Sequence, residues 1–504
     1  MEWLKLKSGS DVRGVACGDD AVITDQVAMT LGFVFARRLA RQLNKSVESV
    51  TVALGRDSRI TGPSLLQATA EGICRAGAHA VSFDMCTTPA MYMAIITPGY
   101  EPDGSIMITA SHHPWNRNGL KFFTQAGGIE GRDVEEILHD AQTANPEDFP
   151  VRGTVESKPF LPEYTRQLAE RIRKGLGQED NPAPLTGLHV AVDAGNGAGG
   201  FYAAMLKALG ADTEGSQFLD PDGMFPNHIP NPENPDAIRS ICDAVLRSRA
   251  DLGVIFDTDC DRAAVVDRDG REINRNRLIA LISAILLEEK PGQTIVTDSV
   301  TSSGLKKFIE SHGGTHYRYK RGYRNVIDEA VRLNAEGVEC PLAIETSGHA
   351  ALKENHFLDD GMYLVTLLII RAMKLKQQGK TLGSLIQSLG EPVESEEIRL
   401  NITEENFRQK GEEAIQRILD YEKKSDLWHL APDNREGVRV SFNLDGKEES
   451  GWFLLRLSVH DPVLPLNCES DVPGGTRKML EEIYAVLKGL DGVDLAPLRE
   501  KIEN

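Results

Sequence analysis

The sequence has no long hydrophobic run, no paired cysteine spacing and no excess of positive charge, and each absence excludes a class of protein. The longest mainly apolar stretch, residues 363–370, is far too short to span a bilayer. The seven cysteines are scattered, without the spacing that zinc or redox motifs require, so reduced and mostly buried thiols are expected. The N-terminal segment MEWLKLKSGSDVRG lacks the apolar stretch of a secretion signal, which favours a cytoplasmic enzyme.

The charge balance limits the partners of the protein. Lysine and arginine total 56 against 75 aspartates and glutamates, a net charge of -19 that opposes binding to nucleic acid or to an anionic membrane. An anionic substrate therefore requires a local basic pocket. With 504 residues the chain is too long for one hydrophobic core, so three or four domains are expected.

Apolar, β-branched runs alternate with longer helix-like segments, which predicts α/β units built on a largely parallel sheet. The predicted strands are residues 50–54, 105–109, 189–192, 252–256, 294–297 and 342–344. Ligands bind beyond the carboxyl ends of strands in open α/β sheets, so the polar residues just after these runs are the candidates for chemistry.

Three changes of pattern indicate domain boundaries. The segment 144–162 is rich in proline and acidic residues, and an apolar run leading into the Asp-Gly turn at 269–270 predicts a hairpin that closes a second domain. After residue 391 the chain changes to charged helices and short alternating strands, which predicts an α+β domain. The predicted domains are 1–155, 156–269, 270–385 and 386–504.

The first polar cluster, TASHHP at 109–114, carries a serine at the end of a predicted strand, where it is expected to be exposed enough to react. Ala110 and His112 flank Ser111 in place of the glycines of a hydrolase elbow, so the pattern is not typical of a hydrolase. A polar turn that caps the next helix is the structural alternative.

The second cluster, DTDCDR at 257–262, directly follows a predicted strand. An EF-hand would need glycine at Arg262 and glutamate at Arg268, so that motif is excluded. A solvated acidic turn is an alternative. Three alternate aspartates at the end of a buried strand repel one another, however, and a divalent cation is the simplest neutraliser.

Further loops offer groups suited to sugar phosphates. Glu345, Ser347 and His349 lie in ETSGH after another predicted strand, and a carboxylate and a hydroxyl can hold sugar hydroxyls. Arginine forks suit phosphate oxygens, although each cation taken alone is more often a surface salt-bridge residue. The candidate cations are Arg13, Arg56, Arg59, Lys320, Arg321 and Arg324.

Taken together and in this order, the clusters closely resemble those of the α-D-phosphohexomutases, the phosphoglucomutase and phosphomannomutase superfamily. TASHHP has His113 where the family has asparagine, DTDCDR matches Asp-Gly-Asp-x-Asp-Arg, and IETSG has Ile344 where the family has glycine. The segments VDAGNGAGG and PDGMFPNHIPNPENP also resemble the family's. The resemblance spans most of the chain. It implies three related α/β domains with mixed sheets and a smaller α+β C-terminal domain around a central cleft.

The resemblance also implies an activity: interconversion of hexose 1-phosphate and hexose 6-phosphate, of glucose or mannose type, through a phosphoserine and a hexose 1,6-bisphosphate. Ser111 would carry the phosphoryl group and, with Asp257, Asp259 and Asp261, would hold Mg²⁺. The implied catalytic residues are Ser111, Lys121 for proton transfer, Arg13, Arg262 and His112. The implied substrate-binding residues are Arg56, Arg59, Arg324, Glu345, Ser347, His349, Arg456, Ser458 and His460. The expected partner is a small sugar phosphate, with hexose 1,6-bisphosphate as activator, bound by a monomer or homodimer.

One departure from the family keeps other functions open. The family's distal phosphate loop reads Arg-Pro-Ser-Gly-Thr-Glu-Pro, whereas residues 456–462 read RLSVHDP, so Val459 and His460 replace the glycine and the threonine. A weakened clamp would release the bisphosphate, which makes a hexose-1,6-bisphosphate synthase the alternative within the enzyme class. A catalytically silent sugar-phosphate binding protein is the alternative from another class.

Overall fold

The computed structural model describes residues 2–458 and 461–503, which form two compact units. The first unit contains the residues up to 274 together with 347–350 and 358–384. The second contains 275–346, 351–357 and the residues from 385 onward. Among the described residues, no helix is both long and apolar enough to cross a membrane.

The elements alternate between strands and helices along most of the chain. The strands are β1 (Lys7–Ser8), β2 (Asp11–Val15), β3 (Thr51–Arg56), β4 (His79–Met85), β5 (Gly104–Ile108), β6 (Arg117–Thr124), β7 (Gly127–Gly128), β8 (Val155–Ser157), β9 (Val190–Asp193), β10 (Leu252–Phe256), β11 (Ala263–Asp267), β12 (Glu272–Ile273), β13 (Thr294–Thr297), β14 (Thr315–Arg318), β15 (Leu342–Ile344), β16 (Ala350–Leu352), β17 (Leu358–Asp359), β18 (Glu394–Asn401), β19 (Trp428–Leu430), β20 (Val438–Leu444), β21 (Lys447–Leu455) and β22 (Val463–Ser470). The α-helices are α1 (Asp25–Leu43), α2 (Gly62–Ala76), α3 (Thr88–Ile96), α4 (Gly131–Thr143), α5 (Leu161–Leu176), α6 (Phe201–Ala208), α7 (Pro235–Ser248), α8 (Arg275–Glu289), α9 (Ser303–Ser311), α10 (Tyr323–Ala335), α11 (Gly361–Lys376), α12 (Phe407–Glu422), α13 (Gly475–Leu487) and α14 (Ala496–Glu503).

The first unit begins with a mixed eight-stranded sheet in the order β1-β2-β6-β5-β3-β4-β8, with β7 paired to β6. Strand β3 runs parallel to β4 and β5, whereas β6 is antiparallel to β5 and β2. Because Arg56 and Ile108 are register partners at the ends of β3 and β5, the loops that follow these two strands lie side by side. One of those loops carries Arg59 and the other carries Ser111.

A second sheet of the first unit has the order β12-β11-β10-β9. Strand β10 is parallel to β9 and antiparallel to β11, and β11 pairs with β12 across the predicted hairpin, which is confirmed. The glycine-rich segment after β9 supports the acidic loop after β10. Ala198 N donates to Thr258 O at 2.8 Å, and a Cβ added at Gly197 would lie 2.6 Å from the same oxygen. Glycine is therefore required for this close approach.

The second unit contains a parallel arrangement in which β13 lies between β14 and β15. It also contains a five-stranded antiparallel sheet, β18-β22-β21-β20-β19, whose strands pack with α12 and α13. The aromatic rings of Trp428, Phe442 and Phe453 form the centre of that core, with centroids 5.1 to 5.8 Å apart. The predicted α+β C-terminal domain is confirmed.

All six predicted strands are present, and 252–256, 294–297 and 342–344 have the predicted bounds, while the other three are shifted by one or two residues.

All seven cysteines are free, and only Cys17 and Cys242 are partly exposed, which confirms the expected reduced thiols.

Candidate active site

Ser111 lies in the loop after β5, with its side chain directed at the acidic loop after β10. Its Oγ donates to Asp257 Oδ2 at 3.1 Å and lies 3.2 Å from His112 Nδ1 and 3.3 Å from Arg262 Nη2. The expectation that Ser111 is exposed at its strand end is wrong, because these side chains cover it and leave the residue 3% exposed. Its φ of 51° lies in the left-handed region, which residues other than glycine rarely adopt.

The three aspartates of the acidic loop are buried and close together. At least one carboxylate oxygen of each of Asp257, Asp259 and Asp261 lies within 4.8 Å of the others. Within the described residues, Asp259 Oδ1 and Asp261 Oδ1 are buried and have no hydrogen-bond partner. Burial excludes the solvated acidic turn, and unpartnered carboxylate oxygens are the ligands that a hard divalent cation requires. The donor set therefore fits a magnesium ion.

Lys121 and Arg262 partly balance the negative charge of the acidic loop. Lys121 Nζ lies 2.8 Å from Asp259 Oδ2 and 2.5 Å from Asp261 Oδ2. Burial lowers the pKa of Lys121, but these two carboxylates outweigh it and hold the pKa well above its usual range. Arg262 Nε donates to Asp257 Oδ2 at 3.1 Å. Burial together with Asp261 raises the pKa of Asp257.

The two histidines of the serine loop are neutral at physiological pH. Burial and the charge of Arg262, whose Nη2 lies 2.5 Å from Nδ1, lower the pKa of His112 to about 2. His113 stacks on His112 with ring centroids 5.1 Å apart, and burial and Arg13 lower its pKa to about 4. Both imidazoles are therefore dipolar groups and not cations.

The predicted cations of the first unit have different partners. Arg13 on β2 donates through Nη2 to Asp11 Oδ2 at 2.5 Å, and Arg56 at the end of β3 donates through Nε to Asp84 Oδ1 at 2.8 Å. Arg59, in contrast, is fully buried and directed at the backbone of the serine loop. The catalytic role of Arg13 and the substrate-binding role of Arg56 stay predictions.

His349 lies beside the acidic loop. Its backbone pairs with that of Arg262, its Nδ1 is hydrogen-bonded to Asp359 Oδ2, and its ring belongs with Asp359 and Asp261 to a second close group of possible ligands. Burial opposes charge on this ring, but Asp359 outweighs it and raises the pKa of His349 to about 9. The structure thus places His349 next to Asp261 as a further cation, in addition to Lys121 and Arg262. Ser347 belongs to the same unit.

The remaining predicted site residues belong to the second unit. Glu345 Oε1 accepts a hydrogen bond from Gly322 N at 2.6 Å, and Arg324, in the first turn of α10, lies 3.1 Å from Asp328 Oδ1. Burial lowers the pKa of Arg456, and Ser458 Oγ accepts a bond from Asp461 N at 3.3 Å. The predictions for Val459 and His460 lie outside the described residues.

Sequence reasoning missed three residues that hold the named groups in place. Asp57 binds Arg59 and Thr109, Thr88 Oγ1 donates to Asp259 Oδ2 at 2.5 Å, and Asp359 binds His349. The sequence could have indicated Asp57 as an ion-pair partner, since it lies between two arginines in GRDSR. Nothing in the sequence indicated Thr88, because 171 residues separate it from its partner.

Family models cover most of the chain. Those for α/β/α domains I, II and III of phosphoglucomutase/phosphomannomutase match residues 5–148, 162–270 and 274–392. The chain belongs to the phosphoglucomutase/phosphomannomutase family. The predicted family and its fold, three α/β domains followed by a C-terminal domain built on an antiparallel sheet, are confirmed.

Members of the family are similar over nearly their whole length. The phosphomannomutase/phosphoglucomutase of Pseudomonas aeruginosa is 30% identical over 96% of this chain and 95% of its own. The phosphomannomutase of Escherichia coli K12 is 31% identical over 87% of this chain and 91% of its own. The crystal structure of a family protein from Burkholderia thailandensis is 27% identical, has a TM-score of 0.78 and covers 96% of this chain and 97% of its own.

Proposed function

We propose that this chain is a phosphohexomutase that interconverts a hexose 1-phosphate and a hexose 6-phosphate through a phosphoserine at Ser111. The observation that carries this proposal is the direct contact of Ser111 Oγ with Asp257 in a buried acidic loop that Lys121 and Arg262 flank. Full-length relatives at about 30% identity named as phosphoglucomutases and phosphomannomutases support it.

The acidic loop is proposed to hold Mg²⁺ through Asp257, Asp259 and Asp261, with an oxygen of phosphorylated Ser111 as a further ligand. The two buried, unpartnered carboxylate oxygens support this assignment within the described residues. A cation bound there would neutralise negative charge on the oxygens of the transferring phosphoryl group.

The side chains around Ser111 each have a proposed task. Phosphoserine gives its phosphoryl group to the free hydroxyl of a hexose phosphate, and the resulting bisphosphate returns its other phosphoryl group to Ser111 Oγ. Arg262 Nη2, 3.3 Å from Oγ, stabilises the negative charge that develops on that oxygen while the phosphoryl group is being transferred. Lys121 is the proposed proton-transfer group: its neutral amine would take the proton of the attacking sugar hydroxyl, and its ammonium would give a proton to the oxygen that the phosphoryl group leaves. Mg²⁺ bound to Asp259 and Asp261 would offset the two carboxylates that raise the pKa of Lys121, which favours the neutral amine.

Other residues are proposed to bind the substrate. Glu345, Ser347 and His349 would hold the sugar, while Arg56, Arg324, Arg456, Ser458 and His460 would contact phosphate, and Arg13 would assist turnover. Hexose 1,6-bisphosphate is the proposed activator, since it can phosphorylate Ser111 before the first turnover.

Labelling tests this function directly. Purified protein is incubated with Mg²⁺ and glucose 1,6-bisphosphate radiolabelled in its phosphates, and the modified residue is located by peptide mapping. We expect label on Ser111, together with conversion of glucose 1-phosphate or mannose 1-phosphate to the 6-phosphate. Ser64→Ala is the matched control, because within the described residues the exposed Ser64 hydroxyl donates only to Thr61 O. Binding without label or turnover would contradict the proposal and favour the silent binding protein.

A second incubation separates the mutase from the synthase: it contains hexose 1-phosphate and another phosphoryl donor in place of added bisphosphate, because a synthase needs such a donor to rephosphorylate Ser111 after each turnover. The replacement of glycine and threonine by Val459 and His460 in the phosphate loop is the observation that favours a synthase. Accumulation of free hexose 1,6-bisphosphate in place of the 6-phosphate would identify a synthase.

A further inference from the structure

Arg59 uses every donor of its side chain inside the protein. The guanidinium is fully buried, and its five N–H groups meet one carboxylate and four carbonyl oxygens. The bonds run from Nε to Asp57 Oδ2 (3.2 Å), from Nη1 to the carbonyls of Pro114 (2.7 Å) and Arg117 (2.8 Å), and from Nη2 to those of Ser111 (2.6 Å) and His113 (2.6 Å). An arginine that binds a substrate phosphate needs donors for it, so the substrate-binding role predicted for Arg59 does not fit this arrangement.

The same network binds both backbone polar groups of Ser111. Asp57, also fully buried, accepts from Arg59 N at 2.9 Å and from Thr109 Oγ1 at 2.7 Å. Thr109 Oγ1 in turn accepts from Ser111 N at 2.9 Å. The N–H of Ser111 is thus bound through Thr109 and its carbonyl through Arg59. These bonds oppose the return of Ser111 from a φ of 51° to an ordinary conformation.

A loop of the second predicted domain covers the guanidinium. The ring of Phe225 lies 5.2 Å from Arg59 Cζ, and a Cβ added at Gly223 would lie 2.5 Å from Ile60 N and Ser58 O. These two residues belong to the PDGMF segment, for which the proposed function has no direct use. By excluding water, the segment strengthens the hydrogen bonds beneath it. Because a buried ion pair adds little net stability, the role that fits this network is to hold one conformation of the loop.

We propose that Arg59 is a positioning residue. Together with Asp57 and Thr109, it holds the serine loop in the conformation that directs Ser111 Oγ at Asp257, and it does not bind substrate. This inference rests on the proposed role of Ser111 as the phosphoryl carrier. Its consequence is that loss of Arg59 slows phosphoryl transfer while the affinity for the hexose phosphate is preserved.

Two conservative variants test the inference. Arg59→Lys keeps the charge, but an ammonium with three donors cannot replace a five-donor fork. Thr109→Val removes only the hydroxyl that links Ser111 N to Asp57. The matched controls are Arg38→Lys, whose arginine binds Asp133 and Glu136, and Thr69→Val, whose buried hydroxyl donates to Leu65 O inside α2.

The measurements are kcat, KM and dissociation constant for glucose 1-phosphate, and the rate of Ser111 labelling by glucose 1,6-bisphosphate. For Arg59→Lys we expect kcat and the labelling rate to fall by about a hundredfold, as misplacement of a reacting group by ~1 Å can do, with the dissociation constant changed less than about threefold. For Thr109→Val we expect a fall of roughly tenfold, and for both controls no change beyond about twofold. A tenfold weaker binding of glucose 1-phosphate with an unchanged labelling rate would overturn the inference.

Amide hydrogen exchange separates this inference from the proposed function. If the wild-type protein is not labelled at Ser111, the proposed function fails, but exchange at residues 111–117 still reports on the loop. We expect exchange there to be at least about tenfold faster in Thr109→Val and Arg59→Lys than in the wild type, because the bound carbonyls and amides are released. Unchanged exchange would overturn the positioning role. If Arg59→Lys does not fold, as judged by circular dichroism, Thr109→Val decides.

Discussion

The serine loop of the first unit and the phosphate loop of the second are held by different means. In residues 109–117, one buried arginine binds four backbone carbonyls, and a buried aspartate fixes that arginine. In the described part of residues 456–463, the loop is held by backbone bonds to β22, the strand that pairs antiparallel with β21. Arg456 N donates to Pro465 O at 3.2 Å, and Ser458 N donates to Val463 O at 2.9 Å.

The loop that is held more tightly, the serine loop, also departs less from the family's sequence pattern. The serine loop differs from it only at His113, whereas the phosphate loop differs at Val459 and His460 among others. Phosphoryl transfer needs reacting atoms in a fixed geometry, so its loop is built into the core of the unit. A phosphate grip mainly sets how long a ligand stays, and it can change without abolishing the chemistry. We therefore expect substitutions in the serine loop to lower kcat and substitutions in the phosphate loop to weaken substrate binding.

Ser111→Ala is the strongest test of the serine loop. We expect turnover to fall by more than about a thousandfold, because the variant lacks the group that carries the phosphoryl. The affinity for glucose 1-phosphate and the thermal midpoint should change little, since one buried hydroxyl is removed. The measurements are coupled turnover, calorimetric binding and thermal melting, with Ser64→Ala as control. Near wild-type turnover in Ser111→Ala would rule out the phosphoserine.

Metal removal tests the partner of the serine loop, the acidic loop at 257–262. Exhaustive chelation should abolish turnover, and Mg²⁺ should restore it, because the clustered carboxylates otherwise repel the transferring phosphate. Asp259→Asn should lower kcat by roughly a hundredfold and raise the Mg²⁺ concentration needed for half-maximal activity. Asp140→Asn is the control, since Asp140 forms an exposed pair with Arg41. Full turnover after chelation would mean that the acidic loop works without a cation.

Groups that lie on consecutive residues of this site could be predicted from the sequence, whereas contacts between residues far apart in the chain could not. TASHHP, DTDCDR and ETSGH each place several polar groups on consecutive residues after an apolar run, so their positions were readable. The residues that hold them were not, because Thr88 meets Asp259 and Asp57 meets Thr109 only after folding. The burial of Ser111 was missed for the same reason: its cover comes from Asp257 and Arg262, about 150 positions along the chain.

Roles were harder to predict than positions. Arg56 and Arg59 stand three positions apart in one motif and look equivalent in the sequence. In the structure, Arg56 binds Asp84 at the protein surface, whereas Arg59 is buried under Phe225 and binds the serine loop. The spacing of two arginines does not encode which one the second domain will cover.

Arg456→Gln tests whether the phosphate loop acts mainly through substrate binding. We expect KM for glucose 1-phosphate to rise about tenfold, because a charge-assisted hydrogen bond to phosphate worth roughly 1.5–3 kcal/mol is lost. The rate of Ser111 labelling at saturating bisphosphate should stay within about threefold of the wild type. Arg399→Gln serves as control, because Arg399 is an exposed residue of β18 paired with Glu397. A large fall in the labelling rate without a change in KM would show that the phosphate loop takes part in phosphoryl transfer and does not act through binding alone.

The smallest expected effect concerns the fraction of the bisphosphate intermediate that is released before it can reorient and return a phosphoryl group to Ser111. Val459 and His460 replace the family's glycine and threonine, and the loss of a hydroxyl donor and of a flexible position should weaken the grip on the distal phosphate. Starting from phosphorylated enzyme and hexose 1-phosphate, we expect free hexose 1,6-bisphosphate to appear beside hexose 6-phosphate in the first turnovers. A protonated imidazole is a donor and a cation, so retention should be better near pH 6 than near pH 8, on either side of the ordinary histidine pKa of about 6.5.

The double variant Val459→Gly/His460→Thr restores the family residues and should lower the released fraction by a few-fold to about tenfold, the effect of one phosphate contact on residence time. It should also remove the pH dependence, because the titrating side chain is gone. Its rate of Ser111 labelling should equal that of the wild type, which ties the change to the phosphate loop alone. If the wild-type protein makes hexose 6-phosphate through many turnovers without free bisphosphate, the altered loop grips as well as the family's. The difference between the two loops would then lie in how they are built and not in what they do.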